Sequence, residues 1–214
     1  MELENKELRK IIAIKLGKMP YEEISSNDLE KITEITLNAR LLNGAESGII
    51  LDSLTLFPNL KKLKLSNYRI SPKAIELVSS LQFLEDLEIF GAEFEKDINF
   101  APLEQQLLKL KFYNCLPITF AYPKINEIWL SNTDIDFSVI DLSRAKKITI
   151  LNSTIKNIHD LTDFSNIENI NFDGSTFMDA NNEPVSEISV NEKTQYTHKS
   201  EVELFNESIS NKLR

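Results

Sequence analysis

One apolar phrase, repeated along most of the chain, constrains the fold more than any other feature. Apolar residues fill its first, fourth and sixth places, with another near the eleventh. The phrase reads Ile32-Ile35-Leu37-Leu42, Leu60-Leu63-Leu65-Ile70, Leu84-Leu87-Ile89-Phe94 and Leu107-Leu110-Phe112-Ile118. It continues as Ile125-Ile128-Leu130-Ile135, Ala145-Ile148-Ile150-Ile155 and Ile167-Ile170-Phe172-Phe177. Successive starts lie 28, 24, 23, 18, 20 and 22 residues apart. A unit of that size cannot bury its own apolar edge, so stacked coils must share one core. Fourth and sixth places alternate with polar ones, as in a short strand with one face turned inward. The eighth place holds Asn67, Gly91, Asn114, Asn132, Asn152 and Gly174, residues that tolerate the left-handed backbone needed to leave a strand.

This is the signature of a leucine-rich repeat solenoid. It predicts an α/β fold: a curved horseshoe with a parallel β-sheet on its concave face, a mixed helical and extended convex side, and a cap at each end. The ninth place, usually Asn or Cys in such repeats, holds Arg40, Tyr68, Ala92, Cys115, Thr133, Ser153 and Ser175. The last four coils therefore replace the asparagine ladder with small polar groups, and Cys115 reads as a buried ladder residue. Ser71-Pro72 followed by Ile75, Val78 and Leu81 predicts a capped helix in one return segment. The 18-residue coil, with Pro117 and Pro123, is too short for a helix and predicts an extended return.

At the front, Leu8, Ile11, Ile12 and Leu16 fall on one helical face, and Gly17 follows as a stop. Ile24-Ser25-Ser26-Asn27-Asp28-Leu29-Glu30-Lys31-Ile32-Thr33 then reads as a polar turn, a second short helix and the entry to the first strand. A helix ending in Leu16-Gly17-Lys18 before this run resembles the N-terminal cap of bacterial internalin-like leucine-rich repeat proteins. The resemblance covers about residues 7 to 180 and implies protein binding through the concave face. At the other end, Ile188, Val190 and Tyr196 predict a small hairpin. Ser200-Glu201-Val202-Glu203 reads as a capping box ahead of Phe205, Ile209 and Leu213 at helical spacing. The expected boundaries are a cap at 1–31, about seven coils at 32–180 and a C-terminal cap at 181–214, all in one structural domain.

Composition narrows the chemistry. The 214 residues carry 24 Lys plus Arg against 33 Asp plus Glu, a formal charge of −9 that argues against nucleic-acid or basic membrane binding. One Cys and two His leave no material for disulfides, a cysteine zinc site or a multi-imidazole centre. No phosphate loop, nucleophile elbow or metalloprotease helix is present. Asp134, Asp136 and Asp141 lack the alternating oxygens and sharp-bend Gly of a calcium loop. His159, beside Asp160, has no Ser or Cys tied to it. The reading is no catalytic residues, no metal and no cofactor. The charged N-terminus lacks an apolar leader, and no run approaches a membrane span, which predicts a cytoplasmic protein.

The outward residues of successive strands form columns. The third-place column is Glu34, Lys62, Asp86, Lys109, Glu127, Lys147, Asn169; the fifth is Thr36, Lys64, Glu88, Lys111, Trp129, Thr149, Asn171. With strands about 4.8 Å apart, each Lys lies beside a carboxylate, either only as lateral ion pairs or also to recruit a partner. The seventh-place column brings in Phe90, Tyr113 and Leu151 near Trp129. Such an apolar cluster on a solvent-facing sheet either anchors a partner or packs on itself or under the tail. The expected function is a non-catalytic scaffold binding a protein through Phe90, Tyr113, Trp129 and Leu151, with Lys64, Glu88 and Lys111 setting specificity. A monomer is favoured, with no nucleic acid and no membrane involved. An immunity-type protein neutralising a toxin and an exported internalin-like adhesin or effector are the alternatives.

Overall fold

The computed structural model describes residues 3, 5–40, 51–95, 98–104, 106–115, 125–139, 143–158, 160–161, 166–186, 188–190, 192–200 and 203–204. The chain divides into two compact units, residues 1–107 and 108–214. Each is a β-solenoid built on parallel strands.

The N-terminal unit opens with α1 (Lys6–Lys15). Its N-cap Asn5 accepts hydrogen bonds from the Glu7 and Leu8 amides through its side chain, and Leu8, Ile12 and Ala13 are buried. Gly17 stops the helix at φ +68°. The second cap helix, α2 (Ser26–Glu30), carries a full capping box in which Ser25 Oγ accepts from Asp28 N and Asp28 accepts from Ser25 N. Strands β1 (Glu34–Asn38), β2 (Lys62–Ser66), β3 (Arg69–Ile70), α3 (Pro72–Ser79), β4 (Asp86–Phe90) and β5 (Glu93–Phe94) follow. Parallel pairing sets Leu63 between Ile35 and Leu87, and Leu65 between Leu37 and Ile89, so like places stack. Helix α3 is the expected capped return, with Ser71 Oγ accepting from Ala74 N and Pro72 at its start.

The C-terminal unit runs β6 (Lys109–Tyr113), β7 (Glu127–Ser131), β8 (Ile135–Asp136), β9 (Lys147–Leu151), β10 (Thr154–Lys156), β11 (Asp160–Leu161), β12 (Asn169–Asn171), β13 (Thr176–Met178), β14 (Ser189–Val190) and β15 (Gln195–Thr197). Strands β6, β7, β9, β12 and β15 form one parallel sheet, and β8, β10 and β13 a second behind it. Among the described residues the expected mixed convex side is thus mostly extended: outside the N-terminal cap helices are few, and they form no helical outer layer. Coil length explains the choice. A helix advances 1.5 Å per residue and a strand about 3.3 Å, so only the longer coils hold enough chain to fold a helix into the return.

The hairpin expected of Ile188, Val190 and Tyr196 is replaced by further parallel pairing. Ser189–Val190 pairs with Asp160–Leu161, and Gln195–Thr197 with Asn169–Asn171. The solenoid thus continues past residue 180. The capping box forms: Ser200 Oγ accepts from Glu203 N at 3.3 Å, and Glu203 Oε2 accepts from Ser200 N at 2.8 Å. Leu42, Pro117, Ile118, Pro123, Asp141, His159, Val202, Phe205, Ile209 and Leu213 lie outside the described residues.

The phrase builds the core as read. Every residue at the first, fourth and sixth places, from Ile32 to Phe172, is at most 3% exposed. Phe172 gathers Phe137, Phe177 and Tyr196 edge-on, with centroids 5.5–6.4 Å away. All six eighth-place residues have positive φ, between 48° and 70°.

The ninth place forms a hydroxyl ladder. Cys115 N donates to Thr133 Oγ1 (3.2 Å), Thr133 N to Ser153 Oγ (3.1 Å) and Ser153 N to Ser175 Oγ (3.2 Å). Each hydroxyl donates onward to a carbonyl: Thr133 to Ser131, Ser153 to Leu151 and Ser175 to Ile150. Buried amides between coils are thereby satisfied without asparagine. Cys115 is a buried thiol at the ladder's start, with Sγ 3.5 Å from the Tyr113 carbonyl.

Candidate functional site

On the N-terminal unit the outward columns are knitted into one charge network. Lys62 Nζ lies 2.9 Å from Glu88 and 3.4 Å from Asp86. Lys64 Nζ lies 3.4 Å from Glu88 and 3.6 Å from Glu34. Glu88 is 6% exposed, well below a typical surface carboxylate, because two lysine stems flank it on the same sheet face. Its hydrogen bond is the main cause that pushes the Lys62 amine above the ordinary lysine range. Lys64 and Glu88, two of the anticipated contact residues, are therefore committed to each other. Phe90 ends β4, half-buried and paired in register with Ser66.

On the C-terminal unit the face changes character. Lys109 pairs with Glu127 at 2.9 Å. One place along, Lys111 stands in register with Trp129, and Trp129 with Thr149; Tyr113, Ser131 and Leu151 form the next row. The rings of Tyr113 and Trp129 lie 6.4 Å apart and tilted by 39°, within aromatic contact distance. Tyr113, Trp129 and Leu151 are all half-buried. The Trp129 Nε1 atom is shielded from solvent and has no hydrogen-bond partner. The residues that the columns bring together on this unit are thus Lys111, Tyr113, Trp129 and Leu151, each half-buried rather than wholly exposed.

Neither a protein-family model nor a curated protein matches the chain.

The polar candidates have structural partners. Asp134 accepts from Thr154 N at 2.8 Å. Asp136 Oδ1 accepts from Ser138 N, Ser138 Oγ and Asn157 Nδ2, and the Ser138 hydroxyl leads the causes that lower its carboxyl. Both carboxylates serve turns between strands. His198 sits against Phe177, ring centroids 4.7 Å apart, with Nε2 3.0 Å from the Ser175 carbonyl. Among the described residues, no group of three metal-ligating side chains converges and no helix is long and apolar enough to cross a membrane.

Sequence reasoning missed a polar groove of about 500 Å³ lined by Lys147, Glu168, Asn169, Lys193 and Gln195. It exists because β15 lies beside β12. The available signal was Tyr196, which takes the fourth place of a further phrase and meets Phe172 edge-on; Lys193 and His198 at the first and sixth places hid it.

Proposed function

We propose that this chain is a non-catalytic leucine-rich repeat scaffold of internalin-like type that binds a protein partner through the outward face of its parallel strands. The observation that carries the reading is the contact between Tyr113 and Trp129, backed by Leu151 in the adjoining row. Tyr and Trp combine large contact area with few rotatable bonds, so anchoring a partner on them costs little side-chain entropy. Lys111, in register with Trp129, adds a cation at the edge of the patch for orientation. The Lys62–Glu88–Lys64 network supports a division of labour in which neutralised columns keep the sheet soluble and aromatic residues supply affinity.

The cap supports the family assignment. The helix stopped at Gly17 and the Ser25–Asp28 capping box occupy the positions from which the resemblance was drawn. The acidic balance of −9 keeps a basic toxin among the partners worth testing first.

The test is affinity capture from the native cell with the wild type, Trp129→Ala, Tyr113→Ala and a control, Lys146→Ala, whose side chain is exposed. A partner held by wild type and control but released by both aromatic variants is the expected result, followed by a purified binding measurement. Equal capture by all four proteins, with circular dichroism unchanged, overturns the proposal.

A further inference from the structure

The ninth-place column has one buried polar member outside the ladder. Tyr68 is 3% exposed, yet its hydroxyl has no hydrogen-bond partner. An unpartnered buried hydroxyl costs about 1–3 kcal/mol in principle, so its retention asks for a partner that is not part of the chain. Tyr68 lines a cavity of about 100 Å³ in the N-terminal unit, room for more than a single water. Leu51 and Leu77 form its apolar wall, and Arg69, Ser71 and Lys73 supply its other polar groups.

Every polar side chain in that lining can donate. Arg69 uses Nε on Glu95 at 3.1 Å, which leaves its terminal nitrogens available to a second acceptor. Ser71 caps α3 as an acceptor from Ala74 N, so its own proton is available. Lys73 brings an exposed ammonium at the second residue of α3, an eight-residue helix whose N-terminal dipole adds positive potential. Among the described residues no carboxylate lines the cavity; Glu95, which follows β5, reaches Arg69. Burial raises the Tyr68 phenol above the ordinary tyrosine range, which keeps it a donor at neutral pH.

We propose that this cavity is a binding site for a small tetrahedral oxyanion, phosphate or a phosphate ester, with Tyr68 donating from the buried end and Arg69, Ser71 and Lys73 closing around the mouth. All but Leu51 of these residues come from one stretch of ten, 68–77, so the site belongs to a single coil and stands independently of the proposed protein-binding face. Its size favours the free anion over a bulkier ester.

Titration with inorganic phosphate at fixed ionic strength, read by thermal melting and by phosphorus NMR line width, tests it. For the wild type the melting temperature rises with phosphate and saturates, as mass action requires, while chloride leaves it unchanged. Tyr68→Phe removes only the hydroxyl. Its phosphate-free melting temperature stays at or above that of the wild type, and its apparent affinity falls by about tenfold or more. Lys73→Ala, a change on the exposed helix face, weakens binding several-fold and guards against any repacking at Tyr68. Parallel titration with phosphoserine separates the sources: equal affinity assigns the site to a phosphorylated partner, weaker affinity to the free anion. An equal response of Tyr68→Phe and wild type to phosphate, or no saturable binding into the tens of millimolar, overturns the proposal.

Discussion

Replacing Ser153 by Ala should cut one rung of the hydroxyl ladder and leave its neighbours standing. In the native structure Ser153 Oγ accepts from Thr133 N at 3.1 Å and donates to Leu151 O at 2.9 Å. Leu151 O keeps a second donor, Asn132 N at 3.0 Å, so it is not stranded. Thr133 N has no such reserve: Thr133 is 1% exposed, and water cannot replace the lost acceptor without opening the coil. The adjoining rungs survive, because Cys115 N still reaches Thr133 Oγ1 and Ser153 N still reaches Ser175 Oγ. The cost is therefore that of one orphaned buried amide, about 1–3 kcal/mol. With a urea slope of roughly 2 kcal/mol per molar, the midpoint should fall by about 0.5–1.5 M. Trp129 is the chain's only tryptophan and lies one coil away in the same unit, so its fluorescence reports the transition directly. Ser189→Ala, an exposed serine in that unit, is the control. If Ser153→Ala melts within about 0.2 M of wild type and alongside the control, the ladder does not bear the coil junction and the argument fails.

Three further outcomes follow from other parts of the fold. Gly174→Ala should destabilise the C-terminal unit more than Asn132→Ala in the same titration. Both place Ala at positive φ, costing about 1–2 kcal/mol, but at Gly174 the new Cβ also runs into the Asn152 side chain. Glu88→Gln should cost about 1–3 kcal/mol, between the values for exposed and buried pairs, since Lys62 and Lys64 keep only Asp86 and Glu34; the loss should shrink at high salt. Asp28, held by Lys18 at 2.6 Å and by Ser25, sits well below the usual carboxylate range. A lowered folded value gives stability that is present above the ordinary aspartate pKa and lost as pH falls through and below it. Hydrogen-exchange protection factors over residues 6–31, taken relative to the intrinsic exchange rate at each pH, should therefore fall on acidification, and those of Asp28→Asn should be low already at neutral pH and respond little to it.

Part of this protein follows from its sequence alone, and each such element rests on local chemistry. The apolar places went inside because alternation leaves a strand one choice of face, and Asn or Gly marked six of the seven exits because left-handed backbone disfavours other side chains. The capping box at Ser200 and the Pro72 helix were legible for the same reason: their partners lie within four residues. The third-place and fifth-place columns gave the Lys62, Lys64 and Glu88 pairings as soon as the register of like places was assumed.

Tertiary structure decided the rest. The strand at Gln195–Thr197 was hidden because Lys193 and His198 break the phrase. It forms because β12 presents unpaired amides and carbonyls, and backbone hydrogen bonding does not depend on side-chain identity. Extended returns stacked as β8, β10 and β13 likewise depend on the coil beneath each one. Spacing assigned Tyr68 to the ladder column, but only its surroundings show a hydroxyl without an acceptor and a cavity beside it. Which residues point inward is a property of the local chain; what they meet there is supplied by segments some twenty residues away, and no short pattern encodes it.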